Sequence, residues 1–173
     1  MKRIMILGSP GSGKSTLAKS IGEITGIEVI HLDTLFWAPG WVKVPSEEFR
    51  ERVKSYVEKE SWIIDGNYSG VLDIRLSTAD TIIFIDVPRS KCLYRVGKRR
   101  FQYSGKTRSD LTAGCDEKID WEFIKWIWNF SKHSKPIILK EIEEKSQGKE
   151  VYYLKNKEDI EFCINHIRKR RNI

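Results

Sequence analysis

Gly8-Ser9-Pro10-Gly11-Ser12-Gly13-Lys14-Ser15 is the stretch whose reading decides the fold. The short apolar run Arg3 to Leu7 leads into it and reads as a strand, while Lys14 to Thr25 reads as a helix. A strand, a glycine-rich turn and a Lys-Ser pair opening a helix make the context in which Gly-x-x-x-x-Gly-Lys-Ser cradles phosphate. The glycines let backbone N–H groups turn inward around phosphate oxygens, and the helix N-terminus adds the positive end of its dipole. Lys14 is expected to reach the β- and γ-phosphates as a catalytic group, and the Ser15 hydroxyl to ligate Mg²⁺. The expected binding set is Gly8, Ser9, Pro10, Gly11, Ser12, Gly13, Lys14, Ser15 and Thr16, with ATP and Mg²⁺ as cofactors.

Outward from this turn, short β-like runs alternate with longer helical stretches, the pattern of a parallel sheet with crossover helices. Strands are expected at Arg3–Leu7, Glu28–His31, Trp62–Asp65, Thr81–Asp86 and Glu150–Leu154. Helices are expected at Lys14–Thr25, Ser46–Glu60, Arg89–Phe101, Asp120–Ser131 and Lys157–Arg170, with a further one around Pro136–Lys145. Asp120 and Ser46 are candidate helix caps, and Pro88 stands where a first-turn proline is tolerated. Gln102 to Lys118 has no clear periodicity and is rich in Gly, Ser, Thr and charge, long enough for a mobile lid. The whole chain, 1–173, reads as one nucleoside-triphosphate-binding, kinase-like domain with its lid at about 101–118.

In an open α/β sheet the ligand lies beyond the carboxyl ends of the strands, so acidic residues there are candidates for metal and acceptor work. Asp65 ends Trp62-Ile63-Ile64 and precedes Gly66, which suits a carboxylate that holds Mg²⁺ through water. Asp33 follows Ile30-His31-Leu32 where a phosphoryl acceptor enters, and is a candidate base or metal-positioning group. Asp86, before Val87-Pro88, is explained by capping, and His31 by packing at a strand end.

The 31 Lys and Arg against 24 Asp and Glu give a net charge of +7, which favours anionic partners but does not choose among phosphate chemistry, nucleic acid and a solvated basic surface. Four cations fall between Arg95 and Arg100, and four more at Arg168-Lys169-Arg170-Arg171. The three cysteines, Cys92, Cys115 and Cys163, are far apart and make neither a disulfide framework nor a zinc ribbon, in keeping with a reducing cytoplasm. The apolar run after Met1-Lys2-Arg3 is too short for a signal segment or a membrane span.

The phosphate-binding start, Asp65-Gly66, and Ile85-Asp86-Val87-Pro88 running on to Arg95-Val96-Gly97-Lys98-Arg99-Arg100 resemble adenylate kinase and its relatives. That resemblance implies a three-layer P-loop NTPase fold with five parallel strands in the order 2-3-1-4-5 and a lid segment. It also implies an adenine-side role for Arg95, phosphate contact by Arg99, and closure on the phosphates by Arg108. The four-residue spacing of Arg95 and Arg99 puts both on one helix face, and guanidinium forks suit stacking and phosphate neutralisation. The chain departs from adenylate kinases at Ser69 and Phe36, where they carry arginines that grip the acceptor monophosphate. Arg50, Arg52 and Arg75 are the candidates to replace them.

His31-Leu32-Asp33-Thr34-Leu35-Phe36-Trp37, Trp62-Ile63-Ile64-Asp65-Gly66-Asn67-Tyr68 and Gly114-Cys115-Asp116-Glu117-Lys118-Ile119-Asp120-Trp121 resemble a second group, the FlaR-related DNA topology modulation proteins.

Six tryptophans stand out. Trp37 and Trp41 bracket Pro39-Gly40 after Asp33, as an aromatic acceptor wall or as loop packing. Trp121, Ile124 and Trp128, with Phe123, Ile127 and Phe130, recur at helical spacing and read as core or as a dimer surface, mainly core. Two functional readings stand. One is a nucleotide or small-molecule kinase that passes the ATP γ-phosphoryl group to an unidentified small acceptor. The other is an ATP-dependent, nucleic-acid-associated regulator of DNA topology. Neither involves a membrane.

Overall fold

The computed structural model describes residues 1–103, 110–116 and 119–171. Among the described residues seven strands run in chain order: β1 (Arg3–Gly8), β2 (Val29–His31), β3 (Trp37–Ala38), β4 (Val42–Lys43), β5 (Trp62–Asp65), β6 (Thr81–Ile85) and β7 (Glu150–Leu154). Among them lie α1 (Lys14–Thr25), α2 (Leu32–Phe36), α3 (Ser46–Val57), α4 (Leu72–Thr78), α5 (Arg89–Gln102), α6 (Trp121–Asn129), α7 (Ser134–Lys145) and α8 (Lys157–Arg171). Five strands form one parallel sheet in the order β2-β5-β1-β6-β7, and β3 pairs with β4 in a separate antiparallel hairpin. Counted along the chain within the sheet, that order is the expected 2-3-1-4-5. The two-residue hairpin and the short helices α2 and α4 escape the sequence reading, because elements this short carry no periodicity to read.

Strand alternation splits the core into two layers. Ile4 and Ile6 of β1, with Ile63, Ile83 and Ile85, face Leu17 and Ile21 of α1, Val96 of α5 and Ile167 of α8. Met5 and Leu7, with Trp62, Ile64 and Phe84, face Phe49 and Val53 of α3, Leu76 of α4 and Ile142 of α7. The strands are apolar on both faces, as a parallel sheet covered on both sides requires.

Several local expectations need correction. Asp120 does cap α6, accepting from the Phe123 N–H at 2.8 Å. The N-cap of α3 is Pro45 rather than Ser46, and that of α5 is Pro88, so neither Ser46 nor Asp86 caps a helix. Asp86 instead accepts from Lys135 Nζ at 2.6 Å, an ion pair between the end of β6 and α7. On α6, only Ile127 and the following Phe130 are buried, while Trp121 is 67 % and Trp128 48 % exposed. The helical spacing there serves a narrow contact stripe, and the Arg89 guanidinium lies 3.9 Å from the Trp128 ring.

One buried side chain shapes the turn after β5. Arg75 of α4 is fully buried. Its Nε donates to the Val71 carbonyl at 3.0 Å, Nη1 to Gly66 at 2.8 Å, and Nη2 to Asn67 at 3.1 Å and Tyr68 at 3.3 Å. Among the described residues no carboxylate forms an ion pair with it. Burial lowers its pKa, yet a guanidinium stays charged in proteins. Lysine has three donors on a single nitrogen and cannot reproduce this planar fork. Arg75→Lys is expected to cost about 2 kcal/mol, the scale of one lost charged hydrogen bond. Urea denaturation should show a lower midpoint with an unchanged slope, and an unchanged midpoint would contradict this role for Arg75.

Candidate functional site

The pocket at the carboxyl ends of β1, β2 and β5 has a volume of about 1380 Å³. Its first wall is the loop from Gly8 to Gly13. Gly8, Gly11 and Gly13 all have positive φ. A Cβ on Gly8 would lie 2.5 Å from the Ile85 carbonyl oxygen, and one on Gly11 would lie 2.5 Å from that of Cys92, so the loop packs against β6 and α5 as only glycine allows. The Ser12 N–H donates to the Ser9 carbonyl at 3.0 Å and closes the turn. Helix α1 then begins with no side chain capping it, leaving its first-turn N–H groups directed at the pocket mouth.

Lys14 Nζ lies within this loop, donating to the carbonyls of Gly8 at 2.9 Å and Ser9 at 3.0 Å. Burial lowers its pKa, against the opposing charges of Asp65 and Asp33. The carboxamide of Asn67 grips the loop from the other side: Gly8 N–H donates to Oδ1 at 3.1 Å, and Nδ2 donates to the Gly8 carbonyl at 2.8 Å. Arg95 of α5 donates through Nη1 to the Ser12 carbonyl at 2.9 Å. Pro10, Thr16 and Arg99 also line the pocket. Arg108, and with it the middle of the expected lid, lies outside the described residues.

The sheet register brings three polar residues together. Parallel pairing sets Ile6 against Asp65 and His31 against Asp65, so β5 carries its carboxylate between β1 and β2. The Ser15 hydroxyl donates to Asp65 Oδ2 at 2.9 Å, and His31 Nδ1 donates to Asp65 Oδ1 at 2.5 Å. Burial pulls the His31 pKa down, but the hydrogen bond and charge of Asp65 outweigh it and leave the value raised. His31 is therefore more than strand-end packing, and the signal that reveals it is the 2-3 strand adjacency, which makes it the register partner of Asp65.

Whether the residues present suit Mg²⁺ and a triphosphate can be judged from their donors. Among the described residues no cluster of three or more His, Cys, Asp or Glu stands ready to hold a metal. Mg²⁺ commonly needs only one or two protein oxygens beside substrate phosphates and water, which Ser15 and Asp65 supply. Among the described residues the Ser12 hydroxyl is buried in this loop with no hydrogen-bond partner, an orphan polar atom of the kind a bound group would explain. The residues fit the group.

The same pocket is lined by Asp33 of α2, with the Tyr68 hydroxyl donating to its Oδ1 at 2.5 Å. Burial raises the Asp33 pKa above the ordinary carboxylate value; the Tyr68 hydrogen bond opposes this and the Asp65 charge adds to it. From Tyr68 a line of rings continues through Phe36 (centroids 4.6 Å apart) to Trp37 (4.9 Å) and Trp41 (5.3 Å). Residues 112–116 fold back onto this hairpin. Thr112 Oγ1 donates to the Trp37 carbonyl at 2.6 Å, Gly40 N–H to the Gly114 carbonyl at 3.1 Å, and Trp41 Nε1 to the Asp116 carbonyl at 3.1 Å. Asn67 and Tyr68 had no role from sequence, although they directly follow Asp65-Gly66.

The candidate substitutes for the absent monophosphate-gripping arginines are all turned to other work. Arg50 forks onto Asp73 at 3.0 and 2.6 Å and reaches the Gly70 carbonyl at 2.7 Å. Arg52 donates to the Leu35 carbonyl and to Glu48, and Arg75 is held under the turn after β5.

Comparison with known proteins places this geometry. The chain is 28 % identical over 127 residues to the uncharacterized protein YqaC of Bacillus subtilis, covering 72 % of this chain and 70 % of that one. It is 35 % identical over 80 residues to the adenylate kinase of Thermotoga petrophila, a match spanning 46 % of this chain and only 36 % of that enzyme. In fold it is similar to a shikimate kinase from Acinetobacter baumannii solved in complex with shikimate, with a TM-score of 0.57 at 14 % identity over 98 % of this chain and 93 % of that one. No helix among the described residues is long and apolar enough to cross a membrane. The model of the ATPase family associated with various cellular activities (AAA) matches residues 4–107, which carry the phosphate loop, Asp33 and Asp65, and the chain belongs to that family of nucleotide-binding P-loop proteins.

Proposed function

We propose that the protein is a cytoplasmic kinase that transfers the γ-phosphoryl group of ATP to a hydroxyl of a small acceptor. The observation that carries this reading is one cavity lined by the glycine-rich loop, by the Ser15–Asp65 pair and by the Asp33–Tyr68 pair. At about 1380 Å³ it exceeds the usual 300–1,000 Å³ of a single-ligand pocket, room for donor and acceptor together. The kinase names among its relatives support the reading, and the resemblance of the His31–Trp37, Trp62–Tyr68 and Gly114–Trp121 stretches keeps the chain beside the topology modulation group.

In this reading the loop N–H groups and the α1 N-terminus hold the phosphates, and Lys14 leaves its two loop carbonyls for the β- and γ-oxygens. Arg95 and Arg99 on α5, joined by Arg108, neutralise and cover the nucleotide. Ser15 and Asp65 hold Mg²⁺, which when bound shields the phosphate charge. Asp33, kept in place by Tyr68, accepts the proton of the acceptor hydroxyl as its oxygen bonds to the γ-phosphorus and the bond to the bridging oxygen breaks, releasing ADP.

A second reading, a nucleic-acid-associated regulator, rests on the basic end of α8. There Arg170 pairs with Glu150, Arg171 donates to the Ile24 carbonyl and Arg168 to Asn165, so three of the four cations are engaged by neighbouring residues. Steep weakening of DNA binding with salt would favour that reading.

Two outcomes test the kinase. With Mg²⁺·ATP and a panel of nucleosides, nucleoside monophosphates and hydroxylated metabolites, at least one acceptor should yield a phosphorylated product. Lys14→Ala should lower that turnover about 100- to 1000-fold, the scale of one lost transition-state donor, and Asp33→Asn by about 100-fold or more. Absence of product with every acceptor while ATP still binds would sink the reading. The second outcome concerns stability. A carboxyl whose folded pKa is raised keeps its full contribution below the ordinary carboxylate range and loses it as pH rises through the raised value. Asp33→Asn, which retains an acceptor for Tyr68, should therefore melt above the wild type at pH 8, with the gap closing toward pH 4. A wild type that is the more stable at pH 8 would count against a destabilised Asp33 carboxylate.

A further inference from the structure

The acceptor wall differs from the phosphate wall in both charge and shape. Among the described residues lining the acceptor side the cation is Lys43, on the exposed hairpin strand β4. Gripping a phosphomonoester calls for guanidinium forks, which a lone ammonium at the rim does not supply. The three arginines of the surrounding elements are held elsewhere, on Asp73, on Glu48 and under the turn after β5. Asp33 brings negative charge to this space, which disfavours a second dianion beside the triphosphate.

The shape is set by rings. Tyr68, Phe36, Trp37 and Trp41 follow one another at centroid separations of 4.6 to 5.3 Å, starting from the residue that holds Asp33. Trp37 and Trp41 both line the pocket, and they sit on a hairpin further anchored by Thr112 and Asp116. Anchored rings that face a cavity offer a flat apolar surface at low entropic cost. Ser69, Ser134 and Tyr68 add neutral hydroxyls to the lining.

We infer that the acceptor is an uncharged alcohol carrying a flat ring, a nucleoside or a hydroxymethyl heteroaromatic, which lies against Trp37 and Trp41 with its hydroxyl at Asp33 and carries no phosphate of its own. This rests on the kinase reading above and names its substrate class. The product is then a phosphomonoester of that alcohol. The acceptor's proton passes to Asp33 and ADP leaves.

The test is steady-state phosphoryl transfer with Mg²⁺·ATP to ribo- and deoxynucleosides and hydroxymethylpyridines, against nucleoside 5′-monophosphates and open-chain polyols. A flat uncharged alcohol should be used with kcat/KM at least 100-fold above any monophosphate or polyol. Trp37→Ala should raise the KM for that alcohol about 5- to 150-fold, the range reported by removing one stacking partner, with the KM for Mg²⁺·ATP within twofold. Trp37→Phe, which keeps a flat ring, should recover most of the loss and shows that the hairpin still folds. A monophosphate or polyol preferred tenfold or more would overturn the inference while leaving the kinase standing. No product with any acceptor would remove the kinase reading and this inference with it. An alcohol KM unmoved by Trp37→Ala would overturn the assigned stacking surface.

Discussion

The guanidinium of Arg75 is the constraint on which both walls of the pocket depend. Buried under the turn after β5, it satisfies the carbonyls of Gly66, Asn67 and Tyr68 together. The side chains of two of those residues then point to opposite tasks. Asn67 closes on the N–H and carbonyl of Gly8 in the phosphate loop, and Tyr68 closes on Asp33. A buried cation without a carboxylate partner is costly, and a fan of four carbonyl acceptors is what makes it tolerable here. The stability held in this turn keeps Asn67 on the glycine-rich loop and Tyr68 on Asp33 in one geometry.

A second feature follows from the parallel register. Because β5 lies between β1 and β2, its terminal Asp65 meets Ser15 from one side and His31 from the other. Asp33 adds a second carboxylate to the same pocket, and Lys14 and His31 lie near the two. Burial acts against charge throughout: it lowers Lys14 and raises Asp33. Groups held out of their most comfortable protonation states, facing one cavity, are what proton and phosphoryl transfer require.

The sequence made some of this legible and not the rest, for physical reasons. The loop from Gly8 to Ser15 is a local device, readable because its glycines, lysine and flanking apolar strand are contiguous. The sheet order followed from the resemblance, and the five strands from their apolar runs. The Asp65–His31 pair, by contrast, depends on strand adjacency, and Tyr68–Asp33 on a turn held by a residue seven positions further on. Neither leaves a mark in local composition. Trp121 and Trp128 mislead in the other direction, since helical spacing of aromatics does not say which face has a partner, and α6 buries only a narrow stripe through Ile127.

The central claim is that one cavity is divided into a nucleotide half that includes Lys14 and an acceptor half that includes Asp33. Calorimetric titration of Mg²⁺·ATP, as a non-hydrolysable analogue, into wild type, Lys14→Ala and Asp33→Asn tests that division most directly. Asp33→Asn is expected to bind the analogue as tightly as wild type, within about threefold, while Lys14→Ala loses at least tenfold, the scale of one charge-assisted contact. Equal losses in both variants, or no binding by the wild type, would contradict it.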